Sequence, residues 1–164
     1  MAKFQMKETL DQLARIVTAR VADGTGTANQ LNDVDTGKFV KLVGDSQYGL
    51  CAVGNDIEGV LETANEMGTQ DGFNIGSVRY NGRVTVTLDG LQGTPGTGTI
   101  AVGDVVVAGT VVAGTVVARG TALSGYPKVC KATTQTGMYF AWRVVSLDGT
   151  TAVGQTATLE RVNA

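Results

Sequence analysis

The chain has 164 residues, with 13 Lys and Arg set against 15 Asp and Glu, and no His. A chain of this length supports one compact domain that hides about 70% of its unfolded surface. The balanced charge supplies no basic field to neutralise a phosphate backbone, which argues against nucleic acid as a partner, and the missing imidazole removes Ser-His-Asp, Cys-His and His-based zinc sites together.

Glycine is abundant at 23 residues, proline scarce at 2, and Val and Thr recur throughout. Flexible glycine between β-branched residues describes strands and tight turns, so the class expected is mainly β, a compact barrel or sandwich. The first residues, Met1 to Glu8, lack an apolar signal core, and no stretch reaches the roughly 18 apolar residues of a membrane span. The expectation is a chain made and used in soluble form, with no membrane partner.

Met6, Leu10, Leu13, Val17 and Val21 recur at steps of three and four with charged residues between them. That stripe predicts an amphipathic helix over 6–21. Standing apart from the β-rich remainder, these five residues are the candidate subunit or partner interface. Residues 22–37 are polar and turn-rich, which divides the chain into an N-terminal helix or arm with its connector, 1–36, and a barrel-like body, 37–164.

From Lys38 onward short apolar runs are bounded by Gly, Asp or Asn: Phe39 to Val43, Tyr48 to Val53, Ile57 to Glu62. Asn81-Gly82 predicts a type I′ hairpin turn within 73–89, with Val84, Val86 and Leu88 on one face and Arg83, Thr85 and Thr87 on the other. A second hairpin is expected across 138–161, reversing at Asp148-Gly149, with Trp142, the single tryptophan, as a core anchor.

Between the hairpins lie a Gly-Thr loop, 90–99, and a near-repeat of Val-Val-Ala-Gly-Thr units running from Val105 to Ala118. Nearly uncharged and β-branched, this stretch would aggregate as a free edge, so burial in a sheet or at an interface is expected.

Chemical motifs are sparse. Neither Gly24-Thr25-Gly26 nor the run from Gly93 to Gly98 completes a nucleotide-binding pattern, and Asp33 with Asp35 lacks the spaced ligands of a calcium loop. The acidic residues Asp56, Glu58, Glu62 and Glu66 read as a solvated face or a complement to a basic partner. Cys51 and Cys130 sit in apolar runs as small strand residues rather than activated thiolates, and far apart in sequence they pair only if the fold juxtaposes them. No catalytic residue, metal site or cofactor is assigned, and the chain is not expected to be an enzyme.

Gly37-Lys38-Phe39-Val40-Lys41-Leu42 is a first strand of the Gly-x-hydrophobic-hydrophobic kind, and Gly103-Asp104-Val105-Val106-Val107 is a Gly-Asp-hydrophobic turn. With Ile57 to Leu61, Val78 to Val84, Trp142 to Ser146, Val153 to Gln155 and Leu159 to Val162, they are similar in order and pattern to the small β-barrel capsid decoration (cement) proteins of tailed bacteriophages. The resemblance covers residues 36–162. It implies a virion structural protein that binds the outside of an assembled capsid where major capsid protein subunits meet, as a homo-oligomer with a trimer favoured, and that stabilises the shell. Other readings of the same β-rich vocabulary are a tail or head-completion protein, and a ligand- or carbohydrate-binding barrel using Tyr126, Tyr139 and Trp142 at its mouth.

Overall fold

The computed structural model describes residues 16–22, 31–65, 74–111, 114–117, 120–123, 125–133 and 140–163. Five strands, β1 (Ile16–Val21), β2 (Phe39–Gly44), β3 (Gln47–Leu50), β4 (Gly59–Asn65) and β5 (Ile75–Arg79), close a barrel in the order β1-β3-β2-β4-β5. The β1–β3 pair is parallel, and every other neighbouring pair is antiparallel.

The helix expected over 6–21 is overturned within the described residues. Ile16–Val21 is a strand, while Met6, Leu10 and Leu13 lie outside the described residues. A spacing of four places Val17 and Val21 on one face of a strand as well as of a helix, because four is a multiple of the strand period. Ile16, Val17, Thr18 and Val21 are β-branched, which favours the pleated form. With β1 paired on both sides, the barrel takes in residues 16–21, ahead of the body boundary placed at residue 37.

The remaining strands are β6 (Arg83–Leu91), β7 (Thr94–Pro95), β8 (Val105–Ala108), β9 (Gly114–Val117), β10 (Gly120–Leu123), β11 (Lys128–Lys131), β12 (Phe140–Leu147) and β13 (Thr156–Asn163). In the order β11-β8-β12-β13-β6 they form a sheet whose two ends also meet, since β11 pairs in parallel with β6. A second barrel results. β7 extends it beyond β6, and β9 with β10 forms a separate two-stranded hairpin.

The two barrels are one topology repeated in tandem. β6, β8, β11, β12 and β13 take the places of β1, β2, β3, β4 and β5, and the register agrees pair by pair. Val17 faces Val78 as Val84 faces Leu159; Val40 faces Gly59 as Val106 faces Trp142; Val21 lies beside Tyr48 as Leu88 lies beside Val129. The bulge between Leu61 and Thr63 recurs between Val144 and Ser146. Hydrogen bonds repeat too: Cys51 N–H donates to Phe39 O at 3.0 Å and Ala132 N–H to Val105 O at 2.9 Å, while Val21 N–H reaches Asn74 O at 3.1 Å and Leu88 N–H reaches Gln155 O at 2.8 Å. One large difference separates the copies: Asp45 and Ser46 join β2 to β3, whereas residues 109–127, carrying the β9–β10 hairpin, join β8 to β11.

Asn81-Gly82 is therefore not a hairpin turn. β5 pairs with β1 and β4, and β6 with β13, β11 and β7, so Tyr80 to Gly82 is the short link between barrels. The β12–β13 hairpin is present as expected, and Val84, Val86 and Leu88 face inward from β6. The Val-rich near-repeat is split between the second barrel, where Val106, Val107 and Ala108 are buried, and β9.

Two cores result. Val21, Leu31, Val40, Tyr48, Leu61, Ala64 and Val78 fill the first barrel. The larger core fills the second barrel around Trp142 and continues into the first through Phe39, Cys51, Ile57 and Val60. Shared packing of this kind joins the barrels into one body.

Candidate functional site

The joint between the barrels gathers several specific polar contacts. Gly54 N–H donates to Ala108 O at 2.8 Å, and Ala108 N–H donates to Asn55 O at 2.9 Å, so the loop after β3 pairs with β8 where it runs past β12. Trp142, fully buried, donates its Nε1–H to Ile57 O at 3.0 Å. Gln92 clamps the same loop, with Nε2–H donating to Gly54 O at 3.1 Å while its Oε1 accepts from Thr133 N–H at 3.0 Å. The bonds to Ala108 and to Ile57 O satisfy backbone groups of buried residues that would be costly to leave alone.

The joint is head to tail. From the first barrel it uses the start of β2 and the end of β3, with Lys38, Phe39, Leu50 and Cys51; from the second it uses the end of β8 and the start of β11, with Ala108, Gly109, Pro127 and Lys128. A cleft between these walls encloses about 20 Å³, room for roughly one water, against the several hundred Å³ of a typical small-molecule site.

At its margin Asp89 is buried and accepts from Thr110 N–H at 2.8 Å and Thr110 Oγ1–H at 2.6 Å, with Lys128 Nζ at 3.8 Å. The carboxylate thus fixes the chain where it leaves β8 toward the inserted hairpin. Both cysteines are buried and unpaired. Burial pushes the Cys51 thiol up to about 12 and the Cys130 thiol to about 11, which leaves almost no thiolate at neutral pH.

A second cluster closes the first barrel's end. Tyr48 and Tyr80 meet edge to face at 5.9 Å with their hydroxyls hydrogen-bonded, and Arg161 of β13 lies 5.9 Å from the Tyr80 ring centre. Its Nη1–H donates to Tyr80 O at 2.9 Å, which ties the second barrel to the link. Burial first, and then the Tyr80 hydroxyl, raise the Tyr48 phenol above its ordinary range. Stacking and a cation over a ring are the structural uses of these groups.

In comparisons with known proteins, no family model, no curated protein and no solved structure matches the chain.

Among the described residues no three His, Cys, Asp or Glu side chains gather as a metal site, and no helix is long and apolar enough to cross a membrane. Of the interface candidates, Val21 is fully buried in the first barrel's core and Val17 packs against that core, so these two serve the interior; Met6, Leu10 and Leu13 fall outside the described residues. Trp142 cannot line a barrel mouth because it is enclosed, Tyr126 is exposed, and Tyr139 lies outside the described residues. The joint itself escaped sequence reasoning. Its one visible signal was the matching Gly-x-hydrophobic-hydrophobic pattern at Gly37 and Gly103.

Proposed function

We propose that the protein is a structural subunit that binds the outside of an assembled phage-type capsid at the junctions between major capsid protein subunits and stabilises the shell. One observation carries the reading. Two of the segments that carry the resemblance to decoration proteins, Gly37 to Leu42 and Gly103 to Val107, occupy the same topological position in two barrels fused through a common core. A stiff body with two such barrels suits the task of bridging neighbouring subunits, because binding energy then resists their separation instead of being spent on ordering the bridge.

Co-sedimentation with expanded capsids from the source phage, followed by heating, tests it. Retention on assembled shells but not on free capsid subunits, with a higher temperature of shell disruption, is the expected result. Failure to bind any assembled shell would sink the proposal.

A further inference from the structure

The tandem barrels make the burial of equivalent residues directly comparable, and the comparison is lopsided. In the second barrel the turn end of the β8–β11 hairpin is covered, with Ala108 at 2% exposure and Gly109 and Pro127 buried. The equivalent residues of the first barrel, at the turn end of β2–β3, are more open: Leu42 is 49% exposed, Ser46 is exposed and Val43 is half-buried. At the opposite end the contrast reverses. Phe39 and Cys51 are buried in the joint, whereas their equivalents Val105 and Ala132 are half-buried, beside Val102 at 58% exposure.

One half of the joint's geometry is thus left over on each barrel. Among the described residues, the first barrel keeps an unused turn end and the second an unused open end. β2 pairs with β4 only through Phe39 and Val40, so Leu42 runs past β4 as Ala108 runs past the pairing of β8 with β12.

The side chains at these leftover ends compensate in volume. Inside the chain a small residue, Ala108, meets two larger ones, Phe39 and Cys51. Between chains a large residue, Leu42, would meet two smaller ones, Val105 and Ala132. Swaps that conserve total volume are the ones packed interfaces tolerate.

We infer that the protein associates with further copies of itself head to tail, the Leu42 end of one copy seating on the Val105–Ala132 end of the next and continuing between chains the joint that binds the two barrels within one. A contact with unlike halves repeats until a ring closes or a filament grows. The inference rests on the equivalence of the barrels and not on what the assembly coats, so a chain that passes the following test but binds no shell overturns only the capsid reading.

The test is molar mass by light scattering for full-length protein and two variants, Leu42→Asp and Ala132→Glu, with Val102→Asp replacing the second if Ala132→Glu fails to fold by circular dichroism. Expected are a multimer for the unchanged chain, single chains for each variant alone, and two-chain particles for an equimolar mixture. The mixture is decisive, because only a contact with unlike halves leaves one good interface between two differently damaged partners. A monomeric unchanged chain, a variant that keeps the unchanged chain's mass, or a mixture that stays monomeric at concentrations where the unchanged chain assembles overturns the inference.

Discussion

Gly37 and Gly103 do the same work in the two barrels: each has positive φ, 87° and 92°, and each donates its N–H to the residue just before a bulge, Leu61 O at 2.6 Å and Val144 O at 2.8 Å. The following residues repeat the return bond, Leu61 N–H to Lys38 O and Val144 N–H to Asp104 O, both at 3.0 Å. The glycine turns the chain into the strand and locks that turn to the neighbouring bulged strand.

Alanine at either position must adopt a left-handed conformation, at a cost of about 1–2 kcal/mol. Gly37→Ala and Gly103→Ala are expected to lower stability to a similar degree in urea unfolding. A neutral result for one of them would contradict the equivalence of the two glycine turns.

Gly76 and Ala157 hold equivalent places on β5 and β13, yet only the second site has room for a methyl group. A Cβ on Gly76 would lie 2.5 Å from Thr63 O and 2.8 Å from Val21 Cγ1. Gly76→Ala is expected to destabilise by about 1–3 kcal/mol, the usual cost of overpacking, and Ala157→Gly by about 1 kcal/mol through lost packing and greater chain entropy. Thermal unfolding of the two variants checks the ordering.

Trp142→Phe removes the bond to Ile57 O and leaves a buried carbonyl without its donor, for an expected loss of about 1–3 kcal/mol. Trp142→Ala adds a cavity and should cost about 3–5 kcal/mol. As the single tryptophan, Trp142 also reports on the core around the joint: its emission should be blue-shifted in the native protein and move to the red when that core opens.

The two thiols set an alkaline limit. An unfolded cysteine ionises near about 8.5, while the native chain holds Cys130 protonated to about 11 and Cys51 to about 12. Above the unfolded value the native state binds more protons than the unfolded state, so stability falls as pH rises through that window. A chain carrying Cys51→Ala and Cys130→Ala should show a shallower alkaline decline. At pH 8 a thiol reagent should leave both cysteines intact in native protein and modify both in denaturant.

Strand and turn were legible because Val84 to Leu88 and Phe39 to Val43 alternate or cluster in ways that only a sheet accommodates. Val17 and Val21 misled, since a four-residue step fits the inner face of a strand as well as that of a helix. The repeat stayed hidden because register is carried by backbone bonds that few side chains record: Val17 matches Val84, Thr18 matches Thr85, Gly37 matches Gly103 and Val40 matches Val106, but the counterpart of Gly59 is Trp142. Asn81-Gly82 has the composition of a hairpin turn and serves as a link, because strand partners are chosen by long-range packing rather than by the turn alone. The joint needed three dimensions, as Ile57 and Trp142 lie far apart in the chain.

The shared core also orders events at the ribosome. All five strands of the first barrel emerge before β6, and its own core, from Val21 to Val78, can close at once. Phe39, Cys51, Ile57 and Val60 gain their second-barrel partners only as β8, β11 and β12 are made. A nascent chain therefore spends much of its synthesis as a closed barrel with a greasy flank, the interval in which chaperone capture or a premature encounter with a neighbouring chain has its best opportunity.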